Sequence, residues 1–350
     1  VVERETDGGA RDISGRPVTQ MTDETFDRSS DPEVVVCVVG MHRSGTSLAA
    51  RSLGLLGVWL GEHDGLLRPG PDNTAGYWEN EAIKELNDVL LAELGGSWDQ
   101  PPTLAPGWEH DGGLDDLRRS ARATFEGAFC GRPDVTAVGF KDPRLSLLLP
   151  FWRTVTTVTH TIVVLRDPAE VADSLAARNG MRRSQAEILW LRYLLAAEAA
   201  DPNRLLVSQT SFFTSLPETL ASMAAHVGLP APGPEVLQQA EAHLDPALRH
   251  HRAAELERCL DSPLSAMVAS VWNGGDVRTG RLSPDVAAAL AQGWLRGPGD
   301  DELLAASRAE VVALTEEIRR RNRVRDAQLS TRVRRRLQAM RRSLRAGTPS

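Results

Sequence analysis

The stretch Val34–Leu53, VVVCVVGMHRSGTSLAARSL, limits the fold of this chain more than any other segment. An apolar run stops at Gly40, a short polar loop follows, and a helical pattern starts at Ser47. The run has no polar alternation, so it reads as a strand buried on both faces, the kind found in parallel sheets. Similar short runs occur at Val135–Phe140, Thr161–Leu165 and Arg204–Ser208. Between and after them lie helical patterns at Ser47–Leu56, Glu79–Leu94, Leu114–Phe129, Pro168–Arg178, Ser184–Ala199, Leu216–Val227 and Pro234–Leu244. Alternation of this kind predicts an α/β fold, a P-loop-like three-layer α/β/α sandwich with a central parallel sheet. Ligands of such sheets bind at the carboxyl ends of the strands. The residues just after each run are therefore the first to inspect.

The loop itself is Gly40-Met41-His42-Arg43-Ser44-Gly45-Thr46-Ser47. Two glycines let the backbone curl so that several N–H groups converge, and the following helix adds the positive end of its dipole. That is an anion cradle. A Walker loop requires Lys where this chain has Thr46, so β,γ-phosphate binding and ordinary nucleoside triphosphate hydrolysis are disfavoured. Arg43 can bring positive charge over the loop from its N-terminal side. Farther on, VVLRDPAEVADSL ends a strand at Leu165, places Arg166 at its tip, and opens a helix at Pro168. Ser174 lies about two turns along, where it and the Arg166 fork can grip one phosphate.

These stretches resemble the PAPS-dependent sulfotransferases, in their bacterial branch. HRSGTS is similar to the family's 5′-phosphosulfate loop, which implies that Arg43, Ser44, Gly45, Thr46 and Ser47 hold that end of 3′-phosphoadenosine 5′-phosphosulfate (PAPS). Arg166 and Ser174 have the spacing of the family's 3′-phosphate site. The segment GFKDPRLSLLLP resembles the cytosolic enzymes' Lys-Thr-His-Leu-Pro region, which implies that Lys141 stabilises charge during transfer. Those enzymes carry their base, a His, two residues after the Lys, and this chain has Pro143 there. Glu79, Asp142 and His42 stand as alternative bases; Glu79 comes from the region that supplies a Glu in glycosaminoglycan-type members. The segment Asp245–Arg252 resembles a late segment of bacterial members, with Arg249 able to approach a phosphate. The family's late Arg-Lys-Gly loop has no counterpart, and WNGGD at Trp272, within the stretch Trp272–Leu282 read as a loop, does not replace it. The resemblance spans about Val34 to Leu229 and implies PAPS as donor substrate, with no metal. It further implies sulfuryl transfer to a hydroxyl or amine of a saccharide, glycolipid or secondary metabolite. A small-molecule P-loop kinase and a non-catalytic nucleotide-binding scaffold are the competing readings.

Composition sets the wider frame. The 350 residues are 41% hydrophobic and 25% charged, as in ordinary globular proteins. The apolar runs are strand-length, which predicts no transmembrane helix. The polar stretch 1–33 predicts a disordered segment with no secretory leader, and 34–300 the α/β domain. Three scattered cysteines, Cys37, Cys130 and Cys259, fit no metal or disulfide spacing and suit a reducing cytoplasm. The net charge of −7 divides into −16 for most of the chain and +9 for Ala305–Arg345, where 13 Arg face 4 acids. Residues 301–350 therefore read as an Arg-rich helical extension. It is a candidate coiled coil for self-association or a protein partner, a membrane-surface helix, or a polyanion contact. The acidic body argues against nucleic acid as the main partner. Of the 40 basic residues only Lys84 and Lys141 are lysines.

Overall fold

The computed structural model describes residues 26–70, 73, 76–201, 203–244, 275–276 and 281–282. The chain forms an α/β sandwich around a parallel sheet of β1 (Val34–Val39), β2 (Ala137–Lys141), β3 (His160–Leu165) and β4 (Leu205–Ser208). The spatial order is β2-β1-β3-β4. Register pairs Val36 of β1 with both Gly139 and His160, and Ile162 of β3 with Leu205. Trp59 adds a one-residue parallel bridge at the outer edge of β2: its N–H donates to Ala137 O and its carbonyl accepts from Gly139 N, both at 2.9 Å.

The strand period of two divides the core. Val35, Cys37 and Val39 point into one apolar cluster with Val163 and Leu165, while Val36 and Val38 point into the other with Ile162 and Val164. The first cluster is covered by α2 (Glu81–Glu93), α3 (Asp115–Phe129), α4 (Leu145–Val155), α5 (Pro168–Asn179) and α6 (Arg183–Ala200). The second is covered by α1 (Thr46–Leu55) and α8 (Leu216–His226), with α7 (Ser211–Thr214) and α9 (Pro234–Ala242) beside them. Val35 through Val39 are fully buried. Each such side chain contributes roughly 1.5–3 kcal/mol relative to exposure.

Several expected boundaries move. Glu79 precedes its helix: Asn80 is the N-cap, its side chain accepting from Ile83 N at 3.1 Å, and α2 starts at Glu81. Helix α4 was not expected. Its residues Leu145–Leu149, Phe151, Trp152 and Val155 are buried, Pro150, Arg153 and Thr154 are partly exposed, and Pro150 within it reads as a breaker. Residues 26–33, expected to be disordered, are docked. Arg28 donates to Thr154 O at 2.8 Å, and Asp31 forms a buried ion pair with Arg122 at 2.6 Å while accepting from Thr156 Oγ1. The stretch Trp272–Leu282, expected as a loop, contains a short antiparallel pair, β5 (Gly275–Asp276) and β6 (Arg281–Leu282). Arg249, Trp272 and the other residues of 245–274, 277–280 and 283–300, with the Arg-rich 301–350, lie outside the described residues.

At the end of β1 the chain passes so close to β3 that no side chain fits. A Cβ on Gly40 would stand 2.4 Å from the Val164 carbonyl oxygen, and its φ of 142° already excludes other residues. Gly40→Ala is expected to destabilise the fold by about 2 kcal/mol or more, seen as a lower urea midpoint.

Candidate active site

The loop from Gly40 to Gly45 closes on itself locally. Gly40 N–H donates to Ser146 Oγ at 2.9 Å, and Ser44 N–H to Met41 O at 3.1 Å. Gly45 (φ 89°) is the N-cap of α1, and Gln209, just past β4, fills the space its Cβ would need. Neither a capping side chain nor an acid occupies the first turn of α1, which leaves the dipole's positive end for an anion. Arg43 itself adopts a left-handed backbone, φ 69°, a conformation uncommon outside glycine.

Arg43 Nε donates to Ser174 Oγ at 2.8 Å, and Arg166 Nη1 donates to the Arg43 carbonyl at 3.0 Å. The Nε of Arg166 is fixed by Glu170 one turn into α5, at 2.8 Å. The expected loop and the expected second phosphate site are therefore contiguous: Arg43 reaches across to the serine. Arg43, Gly45, Thr46, Ser47, Arg166 and Ser174 all line one cleft at the carboxyl edge of the sheet. Ser44 is buried beneath the loop, its Oγ without a partner among the described residues.

Glu79 and Lys141 line the same cleft. They meet as a buried ion pair, Lys141 Nζ to Glu79 Oε1 at 2.7 Å. Asp142 does not line it. Its Oδ2 accepts from Asn87 Nδ2, and its Oδ1 from Arg144 N and Nη1, all at 2.9 Å; Asn87 in turn accepts from Trp152 Nε1 at 2.8 Å. Asp142 thus anchors the start of α4, and its position departs from that expected of a base. Burial opposes the charge of Arg144, but Asp142 and Asp88 hold its guanidinium protonated more firmly than usual.

His42, the third expected base, packs on Trp98 with ring centroids 4.5 Å apart and on Tyr193 at 5.8 Å. Burial first, then the cations Arg144, Arg178, Lys141 and Arg43, hold its imidazole far below the ordinary range, so it is neutral. Burial also drives the Cys37 thiol up and leaves it unreactive.

The cleft holds residues that sequence reasoning missed: Arg51, Asn73, Arg178, Gln209, Phe213 and His243. Gln209 follows a strand and was findable by its position. Asn73 was not: its Nδ2 donates to Gly76 O at 2.7 Å and to Ser47 Oγ at 3.3 Å, a pairing made by loop folding. Arg43, Arg51, Lys141, Arg166 and Arg178 stand against Glu79 as the one carboxylate among these lining residues. Such a cleft favours a polyanion. Among the described residues, no group of three or more His, Cys, Asp or Glu side chains could hold a metal, and no helix is long and apolar enough to cross a membrane.

Among solved structures, the sulfotransferase domain from the Synechococcus PCC 7002 olefin synthase aligns with 79% of this chain and 99% of its own. Identity is 15% and the TM-score 0.38. No family model matches the chain, and no curated protein matches it in sequence.

The state of His42 has a consequence for stability. An unfolded imidazole titrates near 6.5, and the folded one far lower. Its contribution is complete above about pH 6.5 and is lost as the pH falls from there toward the folded value. His160 and His226, lowered first by burial, add to the same slope. Urea midpoints measured at about pH 7.5 and 5.5 should fall in acid, and the drop should be smaller in His42→Gln.

Proposed function

We propose that this chain moves a sulfuryl group from PAPS to a hydroxyl, or an amine, of a saccharide, glycolipid or secondary metabolite. One observation carries the reading: Arg43 and Arg166 share a cleft with Ser174, beside a phosphate loop that has Thr46 instead of Lys. A donor phosphorylated on both its 5′ and 3′ sides matches two adjoining guanidinium groups; ATP gives no 3′-phosphate for the second. The residues fit such a donor. The Gly45–Ser47 amides and hydroxyls with Arg43 would hold the 5′-phosphosulfate, Ser44 supporting the loop from beneath, and Arg166 with Ser174 the 3′-phosphate. The bound donor supplies the activated sulfuryl group.

The rest is done by Lys141 and Glu79. Their contact couples two tasks. When Glu79 takes the acceptor's proton it loses its charge, which releases Lys141 to stabilise negative charge on the departing 5′-phosphate. Before that, the pair holds both groups without the cost of an isolated buried charge. Glu79 is the favoured base, because Asp142 is committed to Asn87 and Arg144. Positioning and fixed charge supply most of the acceleration, as in phosphoryl transfer.

Calorimetry with 3′-phosphoadenosine 5′-phosphate and with ATP·Mg²⁺ separates the readings. The bisphosphate should bind at least about tenfold tighter, and Arg166→Gln should remove about that factor while leaving ADP affinity unchanged. Tighter ATP binding would support a kinase, and bisphosphate binding with no transfer to any acceptor would support a nucleotide-binding scaffold. Glu79→Gln should keep bisphosphate affinity and lower transfer from radiolabelled PAPS into lysate acceptors by roughly 10²–10⁴-fold.

A further inference from the structure

One wall of the cleft is built from groups that donor binding does not use. His42 stacks on Trp98, and α6 holds the segment carrying Trp98 at two points. Tyr193 Oη donates to Trp98 O at 2.8 Å, and Arg192 Nη2 to Pro102 O at 2.9 Å. Arg178, near the end of α5, places its Cζ 5.6 Å from the Trp98 ring centroid, and its Nε donates to Asn179 Oδ1 at 2.7 Å. It is exposed, lines the cleft, and acts electrostatically on His42. His42 is more than nine-tenths buried, and its Nε2 has no partner among the described residues, so this wall is polar rather than ordinary core. A guanidinium already held against a ring loses little further freedom when it forms a fork with an oxyanion.

Charge decides what can approach this wall. Glu79 is taken by Lys141, while Arg43 and Arg166 serve the donor. A protonated amine would enter against the remaining positive field, and an alcohol carrying an oxyanion would enter with it. We propose that Arg178, fixed over Trp98 beside His42, binds an oxyanion on the acceptor, which makes the acceptor an alcohol bearing a carboxylate, phosphate or sulfate. This rests on the sulfuryl-transfer reading and names its acceptor class.

The test uses the full chain saturated with 3′-phosphoadenosine 5′-phosphate, so that the donor pocket is filled. Acetate, inorganic phosphate and sulfate are titrated separately by calorimetry at constant ionic strength, and the three arms identify the oxyanion. At least one should bind saturably and lose about tenfold or more in Arg178→Gln, with bisphosphate affinity unchanged within about twofold. Arg178→Lys should retain part of the affinity, because it keeps charge without the fork. No saturable binding, or equal binding in Arg178→Gln, overturns the proposal. If the bisphosphate itself fails to bind, the sulfuryl-transfer reading falls. The titrations repeated on the bare chain then show separately whether an Arg178-dependent oxyanion site exists.

Discussion

A strand whose side chains are all sealed in hydrocarbon offers polar chemistry only at its tip. β1 is such a strand, with parallel neighbours on both edges and a core cluster on each face. The candidate polar chemistry is therefore forced to the carboxyl edge of the sheet. Gly40 follows β1, Lys141 ends β2, Arg166 follows β3 and Gln209 follows β4. Because strands next to each other in space are far apart in sequence, four distant segments deliver polar side chains into one cleft. The close approach of Gly40 to Val164 ties the first and third of these tips together, and Arg166 bonding the Arg43 carbonyl repeats that tie one layer out.

Much of this was legible because burial and local chemistry leave marks in sequence. Apolar runs marked the strands, Pro168 marked the start of α5, and the Gly–Arg–Gly loop marked the cradle. Other features leave weaker marks. Helix α4 buries eight of its eleven residues and carries Pro150 in its middle, so its first half resembles a strand followed by a breaker. Asp142 looks the same in sequence whether it faces a substrate or an amide; only Asn87, 55 residues away, decides. Asp31 read as part of a polar tail, although its partner Arg122 holds it in place from α3. Long-range pairs of this kind are invisible to periodicity.

The contact between Glu79 and Lys141 joins the two halves of the candidate chemistry. Glu79 comes from the loop just before α2 and Lys141 from the end of β2, so two separate elements meet in this pair. Trp78, immediately before Glu79, holds a left-handed backbone at φ 59° with Arg51 over its ring at 5.7 Å. Such conformations cost on the order of 1–3 kcal/mol and persist where surrounding contacts over-determine them. Glu79 is thus presented by a strained residue and anchored by its own carbonyl, which accepts from Leu67 N at 2.7 Å.

The scarcity of lysine gives the molecule an unusual chemical profile. Lys84 sits partly exposed on α2, in a one-turn pair with Asp88, whereas Lys141 lies buried at the cleft wall, paired with Glu79. An amine-directed acylating reagent thus meets only two side-chain ammonium groups, one near water and one shut away. Acylation at Lys141 requires its ion pair with Glu79 to break first, so its rate gauges how often that pair separates.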